Sequence, residues 1–262
     1  MSSTLALPFL PISIQLYSLR NIEGLEAQLD LAKSAGYRHV ELIGSHLDDA
    51  AGTKAKLDAR GLTVSSSHVG IVALRERPQA ILDACKLLGF TQLFMPSVPP
   101  DERNSPGAYW TALGRELGQM ARDFRAQGIA LGYHNHHWEL QAKEGGKTAL
   151  ELLFEGASQV EQGSPLTWQA DVAWLVRGGA DPAALMQRYR DRVVSVHAKD
   201  LAPAGEKTDE DGWADVGSGV LDWPALAKAS RNAGAKWLVA EHDKPNDPAR
   251  FTRASFKFLN AL

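Results

Sequence analysis

The sequence predicts a single (β/α)8 TIM barrel spanning residues 1–262, and three observations carry that prediction. Helical patterns repeatedly end in glycine and pass within a residue or two into an apolar strand. Eight strand-like segments alternate with helical ones along the whole length. No proline- or serine-rich linker divides the chain, and at 262 residues a barrel of about 250 residues forms one domain. Alternation of β and α implies parallel strands with right-handed crossovers. An open doubly wound sheet fits less well, because no glycine-rich phosphate loop follows the first strand.

The first strand reads "ISIQLY" from about residue 12, and the helix after it repeats Ile22, Leu25, Leu29 and Ala32 at helical spacing. Four glycine joins follow: "AKSAG-YRHVEL", "LDARG-LTVSSS", "CKLLG-FTQLFM" and "FRAQG-IALGYH"; a fifth, "SRNAG-AKWLVA", leads into the last strand. Gly36, Gly61, Gly89, Gly128 and Gly234 are thereby expected to close helices in the left-handed conformation. The helix before "IALGYH" carries Trp110, Leu113, Leu117, Ala121 and Phe124 on one face. Strands six and seven are "LTWQAD" near 166 and "VVSVHA" near 193. The stretch from Leu201 to Gly219 lacks a strong pattern; placed after a strand, it reads as a lid over the catalytic face or as a solvated loop. Cys85, the only cysteine, lies in the apolar helical run "AILDACKLLG" and reads as a small core residue.

Composition excludes several classes of partner. A net charge of −3 offers no general attraction for nucleic acid or membrane surfaces. Arg75 and Arg77, in "RERPQ", read as a solvated helix face. No apolar stretch reaches the length of a membrane span, and "MSSTLALPFLP" lacks the basic start and apolar run of a signal peptide. The expectation is a cytoplasmic protein acting on a small molecule.

In a parallel barrel, reactive groups collect where the strands end, and the polar residues of this chain fall there. They are Gln15 and Tyr17 on strand one, Glu41 on two, His68 on three, and His134 and His136 on five. Strand six ends with Gln169 and Asp171, seven with His197 and Lys199, and eight with Glu241. Within a pair the spacing is two, so both side chains face one side of the sheet. Histidine, aspartate, histidine and glutamate on four adjacent strands suit a divalent ion such as Mn²⁺, Zn²⁺, Co²⁺ or Mg²⁺. The competing reading is a set of buried ion pairs filling the barrel mouth. Trp138, Trp174 and Trp213 follow strand ends and read as an apolar wall for a sugar face, with core packing favoured for Trp174.

The segments "ISIQLYSLR", "YRHVELIG", "LGYHNHHWEL", "VHAKD", "VGSGVLDWPAL" and "WLVAEHD" resemble the sugar phosphate isomerase/epimerase family, the xylose-isomerase-like barrels, in its "YHNH"-containing branch. The resemblance runs from about residue 12 to the C-terminus. It implies a divalent cation held by the last four strands, with Asp171, His197 and Glu241 matching three of the family's ligand positions. On strand five the family's more usual glutamate is replaced; His134 takes the ligand place and His136 faces substrate, the reverse order being the alternative. The implied chemistry is proton abstraction α to a carbonyl through an enediolate, Mn²⁺ being the favoured ion.

On this reading Glu241, His136 and Glu41 are the catalytic candidates, and Gln15, His68, Lys199 and Glu139 contact substrate. Structural readings stand beside several of these roles: a salt bridge for Glu41, ion pairing with Asp171 or Glu241 for Lys199. A metal-dependent lyase or dehydratase acting on a keto-inositol or 3-keto sugar is the alternative outcome of the same enediolate. An apurinic-site endonuclease would need more ligands and a basic groove. A non-catalytic sugar-binding barrel would not need Asp171, His197, Lys199 and Glu241 together. A homo-oligomer is the default for a soluble barrel enzyme.

Overall fold

Apolar strands buried on both faces need helices outside and side chains within, and this chain satisfies that demand by closing its sheet on itself. A computed structural model describes residues 10–163 and 165–262. In order come β1 (Ile12–Gln15), β2 (His39–Ile43), β3 (Thr63–His68), β4 (Gln92–Met95) and β5 (Ala130–His134). They continue with β6 (Thr167–Asp171), β7 (Val193–Ala198), the two-residue β8 (Asp200–Leu201) and β9 (Trp213–Ala214), and β10 (Leu238–Ala240). β1 to β7 and β10 form the closed parallel barrel, sealed where Ile14 of β1 lies opposite Ala240 of β10. β8 and β9 are an antiparallel pair outside it.

The helices are α1 (Leu25–Ala35), α2 (Ala50–Asp58), α3 (Ile71–Glu76), α4 (Pro78–Leu88) and α5 (Gly107–Ala126). After them come α6 (Ala149–Ser158), α7 (Val172–Arg177), α8 (Pro182–Arg188), α9 (Trp223–Asn232) and α10 (Pro248–Leu259). All five glycines of the helix-to-strand joins take φ between +61° and +114°, the region L side chains avoid. Helix starts are written equally plainly: Thr148 and Glu151 form a reciprocal capping box on α6, and Asp171, Asp222 and Asp247 cap α7, α9 and α10. Cys85 is fully buried, as a core residue should be.

The span from Leu201 to Gly219 is structured at its two ends, while residues 203–206 between them are exposed. Asp200 at its start accepts hydrogen bonds from the backbone N–H of Leu201 (2.9 Å), Gly217 (2.9 Å), Gly219 (3.2 Å) and Leu221 (3.2 Å), and from Trp223 Nε1 (3.1 Å). A Cβ on Gly219 would collide with Asp200 and Leu201, so the loop closes around that carboxylate only with glycine there. Buried Glu210 pins the loop tip to α10 through Arg250 at 2.6 Å. The segment therefore hangs over the C-terminal end of the barrel in a fixed pose.

Among the described residues no helix is long and apolar enough to cross a membrane. Residues 1–9, most of the stretch read for leader features, lie outside the described residues.

Candidate active site

The ends of β5, β6, β7 and β10 bring His134, Asp171, His197 and Glu241 together, one ligand atom of each lying within 4.8 Å of the others. Asp171 Oδ2 stands 4.0 Å from His134 Nε2 and 3.9 Å from His197 Nδ1, and Glu241 Oε2 is 2.8 Å from that same Nδ1. Asp171 is aimed by its neighbours. Its Oδ1 caps α7 by accepting from Trp174 N at 3.0 Å, while Asn135 accepts from its backbone N and donates to its carbonyl. The other oxygen, Oδ2, is buried with no hydrogen-bond partner. Lys199 Nζ lies 2.9 Å from it but out of hydrogen-bond alignment, so the contact is coulombic only.

Asn135 explains the residue between the two histidines. It faces away from the barrel mouth and ties β5 to β6, its Oδ1 accepting from Trp168 Nε1 at 3.0 Å as well as from Asp171 N. His134 and His136 face the mouth, their ring centroids 5.0 Å apart.

One buried carboxylate sets the protonation pattern of the ring. Glu41 accepts from Gln15 Nε2 (2.7 Å), Ser66 Oγ (2.5 Å), Gln169 Nε2 (2.6 Å) and His197 Nε2 (2.6 Å). A carboxylate can only accept, so the Gln169 amide must present its nitrogen to Glu41 and its oxygen elsewhere. That oxygen meets His68 Nε2 at 2.6 Å and His134 Nδ1 at 3.1 Å. Both of those nitrogens must then carry hydrogens. His134 is left with a bare Nε2 turned toward Asp171 Oδ2, the tautomer a metal needs.

Electrostatics follow the same division. Burial drives His134 and His136 well below the ordinary imidazole range, so both are neutral. Burial also acts to lower His197, but Glu241 and Glu41 on either side outweigh it and raise the group to about 10. Burial would raise Glu41; the His68 and His197 imidazoles and the hydrogen bonds from His197 and Ser66 hold it below the usual carboxylate range instead. Asp171 is pushed up to about 6 by burial, while His197 and Lys199 more than offset burial at Glu241 and keep it ionised. Lys199 sits among Asp171, Glu241 and Asp243 at 2.8–2.9 Å.

A cavity of about 520 Å³ opens above this cluster. His68, His134, His136 and Glu241 reach its wall, and Asp171 and His197 lie beneath it, fully buried. Four expected substrate or catalytic groups do not reach it. Gln15 is fully buried and spends its amide on Glu41 and Tyr17 N. Glu41 has no acceptor position left for a proton from substrate. Lys199 is surrounded by carboxylates. Glu139 is fully buried, accepting from Tyr133 Oη at 2.7 Å and from the His136 backbone N–H at 2.8 Å, and burial raises it to about 7. These four brace the site from behind.

The tryptophans also differ from expectation: Trp138 and Trp174 line the cavity, whereas Trp213 is fully buried behind Trp174 with ring centroids 4.6 Å apart. Sequence reasoning missed three charged wall residues: Arg103 in the β4–α5 loop and Asp211 at the loop tip, which carry no periodic signal, and Asp243, two residues beyond Glu241, which the strand spacing of two could have found. Arg75 and Arg77 are exposed and paired with Glu116 and Asp48 on the helix layer.

The sequence model of the xylose isomerase-like TIM barrel matches residues 29–262. The rhizopine catabolism protein MocC of Rhizobium meliloti is 25% identical, over 90% of this chain and 80% of its own length. The inosose dehydratase of Lacticaseibacillus casei is 23% identical, over 86% of this chain and 83% of its own. Among solved structures, a sugar phosphate isomerase/epimerase from Parabacteroides distasonis superposes with a TM-score of 0.77 at 21% identity, covering 99% of this chain and 96% of that one. The IOLI protein, crystallised with a zinc atom, gives 0.67 at 15% identity, covering 96% of each chain.

Proposed function

The chain belongs to the xylose isomerase-like TIM barrel family, and on that premise we propose that it is a divalent-metal-dependent sugar isomerase or epimerase that removes a proton α to a carbonyl. One observation carries the proposal: a buried Asp171 oxygen without a hydrogen-bond partner, grouped with His134, His197 and Glu241 within 4.8 Å. That oxygen faces Lys199 at 2.9 Å without an aligned donor, so it keeps lone pairs free for a further cation. Charge points the same way. Asp171, Glu241 and Asp243 surround a single permanent cation, Lys199, so a divalent ion reduces an excess of negative charge.

In this proposal His134 Nε2, Asp171 Oδ2, Glu241 and, on releasing the proton it shares with Glu241, His197 Nδ1 would hold the ion; Mn²⁺ is favoured, with Zn²⁺, Co²⁺ and Mg²⁺ as the other candidates. Two imidazoles and two carboxylates with no thiolate suit any of them. When bound, the ion polarises a substrate carbonyl and stabilises the enediolate that forms beside it. Glu241, ionised and on the cavity wall, takes the proton. Neutral His136 is the second proton carrier: its Nδ1 is buried without a partner, which leaves Nε2 for the cavity. Glu41 orients: through Gln169 it fixes the tautomer of His134, and directly it holds the ring of His197. Trp138 and Trp174 exclude water and pack against the sugar.

A second reading has support in the likeness to the inosose dehydratase. If a hydroxyl lies β to the carbonyl, the proton that Glu241 takes from carbon, passed on through His136 Nε2, lets that hydroxyl leave as water. The two outcomes separate in one experiment: incubation with ketoses, inositol ketones and 3-keto glycosides in D2O with Mn²⁺. Metal-dependent deuterium incorporation at carbon without loss of water marks an isomerase or epimerase. A conjugated enone product marks a lyase. Exchange that proceeds equally in protein stripped of metal would reject the site as drawn.

A further inference from the structure

Arg103 lies on the cavity wall in the loop between β4 and α5. Its guanidinium packs on the Trp138 ring, Cζ 3.8 Å from the ring centroid. Among the described residues it forms no ion pair, and its Nε is buried with no hydrogen-bond partner. Every carboxylate on the same wall is already paired. Asp243 meets Lys199 at 2.8 Å, Glu241 meets Lys199 and His197 at 2.8 Å, and Asp211 meets Arg177 at 3.3 Å. Arg103 is thus the one permanently charged side chain on the cavity wall without an ion-pair partner among the described residues.

Its setting is that of a recognition group. Stacking on Trp138 fixes the plane of the guanidinium, and a fixed planar fork matches the two oxygens of a carboxylate or phosphate. The other stacking partner of Trp138 is His136, at 4.1 Å between centroids and 13° between planes. The fork is therefore joined through one indole to a proton carrier of the proposed reaction, while Asp171, His197 and Glu241 lie toward β6, β7 and β10.

We propose that Arg103 is the specificity-determining residue for an anionic substituent, a carboxylate or a phosphate monoester, carried by the substrate away from its reacting carbons. This rests on the reading of the cavity as a keto-sugar site. It goes further in naming the charge of the substrate and the residue that reads it. Binding held there also strengthens the case for a reaction driven partly by contacts remote from the carbonyl.

Calorimetric titration of the Mn²⁺-loaded protein with glucose, glucose 6-phosphate and glucuronate tests it, with manganese content measured on the same samples. At least one anionic sugar is expected to bind about 10- to 100-fold more tightly than glucose, the range of a charge-assisted fork. Preference for glucose 6-phosphate identifies the phosphate, and preference for glucuronate the carboxylate. Arg103→Gln is expected to erase the difference, and Arg103→Lys, which keeps the charge but not the fork, to restore part of it. Anionic sugars binding no tighter than glucose, or a preference that survives Arg103→Gln, would overturn the assignment. Bound manganese without anion preference removes only the role of Arg103. Anion preference without bound manganese removes the metal site and leaves Arg103 in place.

Discussion

Strands β5, β6, β7 and β10 end in His134, Asp171, His197 and Glu241, whereas β1, β2 and β3 end in Gln15, Glu41, Ser66 and His68. Both sets point their polar atoms at the barrel axis, yet the two halves of the ring differ in what those atoms touch. On the first half an oxygen of Asp171 is left without a donor and His134 shows a bare nitrogen. On the second half hydrogen bonding is complete, and Glu41 is saturated by four donors. The contrast separates a half with capacity to bind from a half that holds the binders in orientation. A carboxylate at a strand end is therefore not a catalytic base by position alone. Its role follows from whether its lone pairs are already occupied.

The comparison breaks most directly at Asp171. Asp171→Ala is expected to lower the ion content from about one per chain to none and activity by about 10³-fold or more, read by elemental analysis and turnover. Full ion content in that variant would mean the open half is not a metal site.

Glu139, behind His136 on the same half, gives the next largest effect, on stability. Its folded pKa of about 7 lies above its ordinary value of 4.5 because it is buried, so the folded chain holds a proton that the unfolded chain releases. That contribution is present in full below pH 4.5 and is lost as pH climbs to about 7, amounting to about 3 kcal/mol. Urea melts at pH 4.5 and 7.5 should show the loss in the parent protein and a flatter profile in Glu139→Gln. An unchanged slope would show that the carboxyl is ionised throughout.

Glu41→Gln sharpens the contrast from the bracing half. Replacing an acceptor by an amide frees Gln169 to flip, and metal affinity or turnover is expected to fall about 10- to 100-fold together. Loss of turnover with unchanged metal affinity would instead make Glu41 a proton carrier. The smallest effect lies outside the ring: Arg77→Ala, which removes an exposed pair with Asp48, should change stability by less than about 0.5 kcal/mol.

Much of the ring was legible before any coordinates. Spacing of two along a strand placed His134 beside His136 at one end of β5. The reading failed where a residue's role depends on partners far away in the chain. Gln15, Glu41 and Lys199 share the strand-end position of true cavity residues, but contacts across 26 to 156 residues of sequence turn them inward, whereas Glu139, in the turn after β5, is turned inward by Tyr133 and the His136 N–H close by in the chain. Trp213 and Trp174 exchanged expected places for a related reason: the short β8–β9 pair buries one indole under the other. Arg103 has no periodic neighbours, so only the folded loop shows it on Trp138.

By itself the sequence determined the barrel, since glycine stops and aspartate caps act through local backbone geometry and recur along the chain. It also determined which strand ends carry imidazole and carboxylate groups. Only the tertiary structure decided which of those groups stay open to a ligand, because hydrogen-bond saturation depends on donors and acceptors brought together from separate strands. One amide orientation at Gln169, fixed by Glu41 more than a hundred residues earlier, sets the ring nitrogen that His134 presents.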